Sequence, residues 1–133
     1  MELYESQGVL QYGDNWRLIL TVDQQIADYY RKLIPPWYRT MRPGYGAHVT
    51  VIRPEKEVPP DHSCWGQYEG QEVPFHYSPI ICTYAGEMFF WINVYCRQLE
   101  LIRLELGLPV RRLRSDPTLG CWKSFHCTIA RAI

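Results

Sequence analysis

Histidine and threonine recur two positions apart at two places in this chain, in Ala47-His48-Val49-Thr50-Val51 and in Phe125-His126-Cys127-Thr128-Ile129. Both segments are β-prone. Side chains along a strand alternate between faces, so His48 and Thr50 share one face and Val49 and Val51 the other. The same parity sets His126 with Thr128, opposite Cys127 and Ile129. Laid side by side, the two strands would bring two imidazoles and two hydroxyls to one cleft. An unperturbed imidazole titrates near ~6.5, so one neutral and one charged ring coexist near neutral pH. One serves as base, the other as acid, and the hydroxyls donate hydrogen bonds to an anion. That set suits acid–base cleavage of a phosphodiester without a metal. No His/Cys cluster has zinc-ligand spacing and no carboxylate flanks either motif, so neither a metal nor another cofactor is expected. A third match, His76-Tyr77-Ser78, is followed by Pro79, which fits a strand edge better than a central strand.

The elements that must position these residues can be read around them. Trp16 to Val22 reads as a buried strand. Asp23 is a plausible N-cap for a helix whose apolar positions Ile26, Tyr30, Leu33 and Ile34 follow helical spacing, ended by Pro35-Pro36. A Gly/Pro-rich approach from Arg42 to Gly46 delivers the chain to the first motif strand, about residues 47 to 53. From Pro54 to Pro74 a long loop is expected. Tyr77 to Tyr84 and Glu87 to Tyr95 form a hairpin turning near Ala85-Gly86. A second helix runs from about Cys96 to Leu106, with Gly107 at its C-terminal cap and Pro109 beyond. A basic loop, Arg111-Arg112-Leu113-Arg114, leads towards the last strand. The order predicts an α+β fold: an antiparallel or mixed sheet, the two motif strands lining a cleft and the helices on the opposite face.

At 133 residues, 47% of them hydrophobic, the chain reads as one domain over 1–133 with a real core. Its formal net charge is zero, which counts against a long duplex DNA footprint and leaves room for a small anionic ligand. No apolar run approaches the ~20 residues of a membrane span. The five cysteines form no C-x-x-C pair and follow no signal-like segment, so a reduced, cytoplasmic setting is expected.

Three further residues are candidates for binding substrate. Lys123, in the lead-in to the second motif, can reach a phosphate from a cleft mouth. Tyr12, beside Gly13, and Trp91, on the polar–aromatic face of the hairpin, are candidates to stack on a base. Arg53 and Arg131 each follow their threonine by three positions, which places them off the His/Thr face by strand parity.

Two such motifs on strands, with these spacings, resemble the 2H phosphoesterase superfamily. Within it, the small size, the Tyr12-Gly13 approach and the Lys123-Ser124-Phe125-His126 lead-in look most like the viral anti-CBASS nucleases. The resemblance implies a phosphodiesterase acting on cyclic di- or trinucleotide messengers, with a cyclic oligonucleotide as its partner. The site of action would be the cytoplasm, the host's if the chain is viral. By motif position it implies His48 and His126 as the acid–base pair and Thr50 and Thr128 as donors to the phosphate. His126 would act as base on a ribose 2′-OH, and His48 would protonate the leaving 5′-oxygen. A 2′,3′-cyclic-phosphate or RNA-end phosphodiesterase is the alternative within that chemistry. A nucleotide-binding or messenger-sequestering module is the alternative outside it.

Overall fold

Seven strands and two helices make up the computed structural model, which describes residues 2–83, 88–110 and 125–133. They run β1 (Tyr4–Tyr12), β2 (Leu18–Thr21), α1 (Gln24–Leu33), β3 (Thr40–Met41), β4 (His48–Ile52), β5 (Glu72–Cys82), β6 (Phe89–Tyr95), α2 (Arg97–Glu105) and β7 (Phe125–Ala132). The sheet order is β3-β7-β4-β2-β1-β5-β6, and a further pairing joins β6 back to β7. The sheet is therefore an antiparallel barrel of six strands, with β3 as a short extra strand on β7.

The α+β class and the antiparallel pairing agree with the sequence reading, which did not include closure of the sheet into a barrel. Two features close it. β1 lies between β2 and β5, and its polar run Glu5-Ser6-Gln7-Gly8 lacks the apolar alternation that marks a strand. β7 uses both edges, pairing β4 and β3 on one side and β6 on the other. Such long-range pairing leaves no local trace in sequence.

Asp23 caps α1 as its type predicts, its carboxylate accepting from the Gln25 N–H at 2.9 Å. α2 ends where expected, and Gly107 takes the left-handed conformation (φ +80) at its C-terminus. The expected hairpin exists as β5 and β6, although β5 begins earlier than the sequence suggests; its turn lies outside the described residues, as does the basic loop.

One core joins the sheet to both helices. Leu20, Val49, Val51, Ile92, Cys127 and Ile129 from the strands pack with Ala27 and Tyr30 of α1 and Leu99 and Ile102 of α2. Burying each such aliphatic side chain contributes about 1.5–3 kcal/mol. Val49, Val51, Cys127 and Ile129 thus spend one face of both motif strands on the core, and parity turns the histidines and threonines to the other. A one-residue slip would exchange the two faces, so the core fixes which side chains reach the cleft.

Cys64, Cys96 and Cys127 are free. Cys82 departs from the reduced set expected, being disulfide-bonded.

Candidate active site

The two motif strands are neighbours. β4 pairs with β7 antiparallel, with Val49 opposite Cys127. That register carries His48 towards Thr128 and Thr50 towards His126. The strands on either side extend both rows. Thr21 of β2 is opposite His48 and Ile19 opposite Thr50, while Trp91 of β6 is opposite Thr128 and Asn93 opposite His126. Two rungs therefore cross the cleft face: Thr21, His48, Thr128, Trp91 and Ile19, Thr50, His126, Asn93. The histidines sit on a diagonal, a relation that separates strand positions by about 7–8 Å. Two imidazoles on such a diagonal, each with a hydroxyl beside it, can serve as an acid–base pair across a small anion.

His48 is held from below. Its Nδ1 lies 2.8 Å from the Gly46 carbonyl, which can only accept, so Nδ1 carries a proton and Nε2 is the basic nitrogen of the neutral ring. The approach loop is tied to α1: the Ala47 N–H donates to Gln24 Oε1 at 2.9 Å, and Gln24 Nε2 donates to Asp28 at 3.1 Å. Arg31 and Arg42 also donate to Asp28, at 2.8 and 2.7 Å. Gln24, Arg31 and Arg42 together hold the Asp28 carboxyl at about 2, below its usual value.

His126 is braced from the side. Trp91 presents its ring edge-on, with centroids 6.2 Å apart, and its indole N–H donates to Asn93 Oδ1 at 3.2 Å. Trp91 and Asn93 are each 1% exposed, so they form a packed wall behind the imidazole. Cys127, between His126 and Thr128 in sequence, faces the core, where burial pushes its thiol up to about 12. It is not a nucleophile at neutral pH.

His48, Thr50, His126, Thr128 and Trp91 all line one cleft of about 580 Å³. Trp91 is on the cleft face, as the hairpin's pattern predicts, but as a buried wall with almost no ring surface open for a base to stack on. Tyr12 is not brought to the cleft. It shares the parity of buried Leu10 and packs edge-on against Trp65, with ring centroids 4.8 Å apart. Its place beside Gly13 suggested exposure, but strand β1 continues through it. Lys123 lies outside the described residues. Arg131 is exposed on β7 and does not line the cleft.

Tyr45, Arg53, Arg17 and Lys56 are among the cleft residues that were not read as substrate contacts from sequence. Tyr45 is 62% exposed and meets His48 edge-on at 5.6 Å between ring centroids. The signal was present, since Gly44 and Gly46 flank it more fully than glycine flanks Tyr12. Arg53 lines the cleft because β4 stops at Ile52, and strand parity stops with it. Arg17, just before β2, and Lys56, in the turn after β4, join it. Nothing in the local sequence marks those two.

Among the described residues, no group of three or more His, Cys, Asp or Glu side chains is placed to hold a metal ion. Among the same residues, no helix is long and apolar enough to cross a membrane. No family model matches this chain, nor does any curated protein or solved structure.

Proposed function

We propose that this protein is a metal-independent phosphodiesterase of the 2H type, and that its substrate is a cyclic di- or trinucleotide messenger. The observation that carries the reading is the antiparallel register of β4 and β7, which turns two separate His/Thr pairs into one diagonal site. The base, His126, removes the proton from a ribose 2′-OH, and the 2′-oxygen attacks the adjacent phosphorus. The bond from phosphorus to the 5′-oxygen breaks. His48, as imidazolium, delivers its Nε2 proton to that leaving oxygen, while Nδ1–H stays on the Gly46 carbonyl. Thr50 and Thr128 donate to the non-bridging oxygens, whose charge builds in the transition state. Water then opens the resulting 2′,3′-cyclic phosphate with the two histidines in exchanged roles.

Pure binding needs neither an acid nor a base, and a fixed tautomer at His48 has its use in proton transfer. The balanced net charge suits a small ligand better than long RNA, which selects a basic track.

The test is mass spectrometry of products from cyclic di- and trinucleotides and from a linear RNA with a 2′,3′-cyclic end, with chelator present. The wild type opens the rings, and His48→Ala and His126→Ala abolish opening. Turnover of the linear end alone assigns the protein to RNA processing. Binding without turnover makes it a sequestering module.

A further inference from the structure

Among the described residues, the charged side chains that line the cleft gather at one end. His48, Thr50 and Ile52 follow one another along β4 on the cleft side; at the rise of a strand, Ile52 lies about 7 Å beyond Thr50 and about 13 Å beyond His48. Arg53 and Lys56 continue from there. Arg17 arrives beside them, because Leu18 of β2 is in register with Ile52. Glu55 is on the same wall, 3.4 Å from Arg53 through an exposed ion pair of small energy. Three cations against one carboxylate leave this end two charges positive in a chain of zero net charge.

The turn that carries two of these cations is fixed from the core side. Lys56 and Glu57 N–H groups both donate to the Arg53 carbonyl, at 3.0 and 3.1 Å. Glu57 then receives both arms of the Arg103 guanidinium, which also donates to the Val51 carbonyl at 2.7 Å. Arg103 is 1% exposed. A buried bidentate pair thus locks the turn to β4 and α2, so Arg53 and Lys56 are held at a set distance from the histidines. A charged group so placed loses less entropy when it meets an anion.

Resting on the phosphodiesterase reading, we infer that Arg17, Arg53 and Lys56 form a second anion subsite, which takes a phosphate one nucleotide away from the one being cleaved. The substrate then carries at least two phosphates. The phosphate between the histidines reacts, while the other is gripped by the cations and sets the register of the sugar. A nucleoside 2′,3′-cyclic monophosphate, whose single phosphate is the one between the histidines, lacks this second handle. Arginine is suited to the role, since its planar fork pairs with two phosphate oxygens at once.

The test uses ligands that 2′-OH attack cannot cleave, so binding is read apart from chemistry. A linear deoxy-dinucleotide with one internal phosphate is compared with the same molecule carrying an added 5′- or 3′-terminal phosphate, by titration calorimetry at two salt concentrations. The wild type binds one phosphorylated form about tenfold or more tightly than the parent, and salt erodes the gain. The Arg17→Gln/Arg53→Gln double variant binds both forms equally, and Arg53→Lys keeps most of the preference. Both side chains are at least partly exposed, so folding is little affected, and circular dichroism checks it. Equal binding by the wild type, or a preference kept by the double variant, overturns the subsite. Failure of the wild type to cleave any ribose substrate while the preference persists overturns the phosphodiesterase reading alone.

Discussion

Replacing Arg103 with methionine will loosen α2 from the strand that carries His48. The guanidinium donates to the Val51 carbonyl, to both oxygens of Glu57 and, through Nε at 3.1 Å, to the Pro109 carbonyl. Methionine fills much of the volume and restores none of these bonds. Removing one partner of a buried ion pair costs about 3–5 kcal/mol. The Glu57 side chain keeps 20% exposure, so water recovers part of that. The Val51 carbonyl gains no such relief in the packed core, whereas Pro109 is exposed and its carbonyl can turn to water. We therefore expect a loss of about 3 kcal/mol, a large share of the ~5–15 kcal/mol that holds a domain together. Adding Glu57→Gln to the variant removes the second charge and should return about 1 kcal/mol, so the double change costs less than the sum of the single ones. Urea unfolding followed by tryptophan fluorescence reads all four proteins. A single-variant loss below about 1 kcal/mol, or simple additivity, would refute the claim that this pair locks the turn.

Gly8→Ala drives a Cβ into the Thr21 carbonyl oxygen and to 2.9 Å from Leu20 Cγ, so β1 and β2 must part; thermal unfolding should show a loss of about 2 kcal/mol or more, and an unchanged midpoint would contradict the close approach. Asp28 has a depressed folded-state value of about 2, so its stabilisation is complete above about pH 4 and is lost as pH falls towards 2. Asp28→Asn should therefore flatten the acid limb of stability in that window, as measured by urea midpoints at stepped pH. Tyr45→Ala should raise KM for a cyclic dinucleotide about tenfold with kcat little changed, and Tyr45→Phe should behave as wild type, because stacking on a base is worth about 1–3 kcal/mol and needs only the ring.

Much of the site was legible because strand parity is local. The residues around His48 and His126 alternate apolar and polar, and both strands formed in the register that this alternation requires. The caps of the helices were legible for the same reason: Asp23, Pro35 and Gly107 act on their immediate neighbours. What escaped was set by distant parts of the chain. β1 is a strand because β2 and β5 pair with it, not because Glu5-Ser6-Gln7 favours one. Arg53 was assigned to the wrong face because the rule was carried one residue beyond the strand's end. Trp91 was assigned to the right face, but its burial depends on how β6 meets β7, and that is not written in the hairpin. Tyr12, expected beside Gly13 to be open to a base, turned inward on a strand that the local sequence does not announce.

The central claim is that the paired His/Thr rungs cleave a phosphodiester through the substrate's own 2′-oxygen. The most direct measurement is the rate of ring opening for a cyclic dinucleotide and for its fully 2′-deoxy counterpart, in chelator, with products identified by mass. The ribose ring should open, passing through a 2′,3′-cyclic phosphate, and the deoxy ring should stay intact. Equal cleavage of both rings, or a ribose ring that never opens, would contradict the claim.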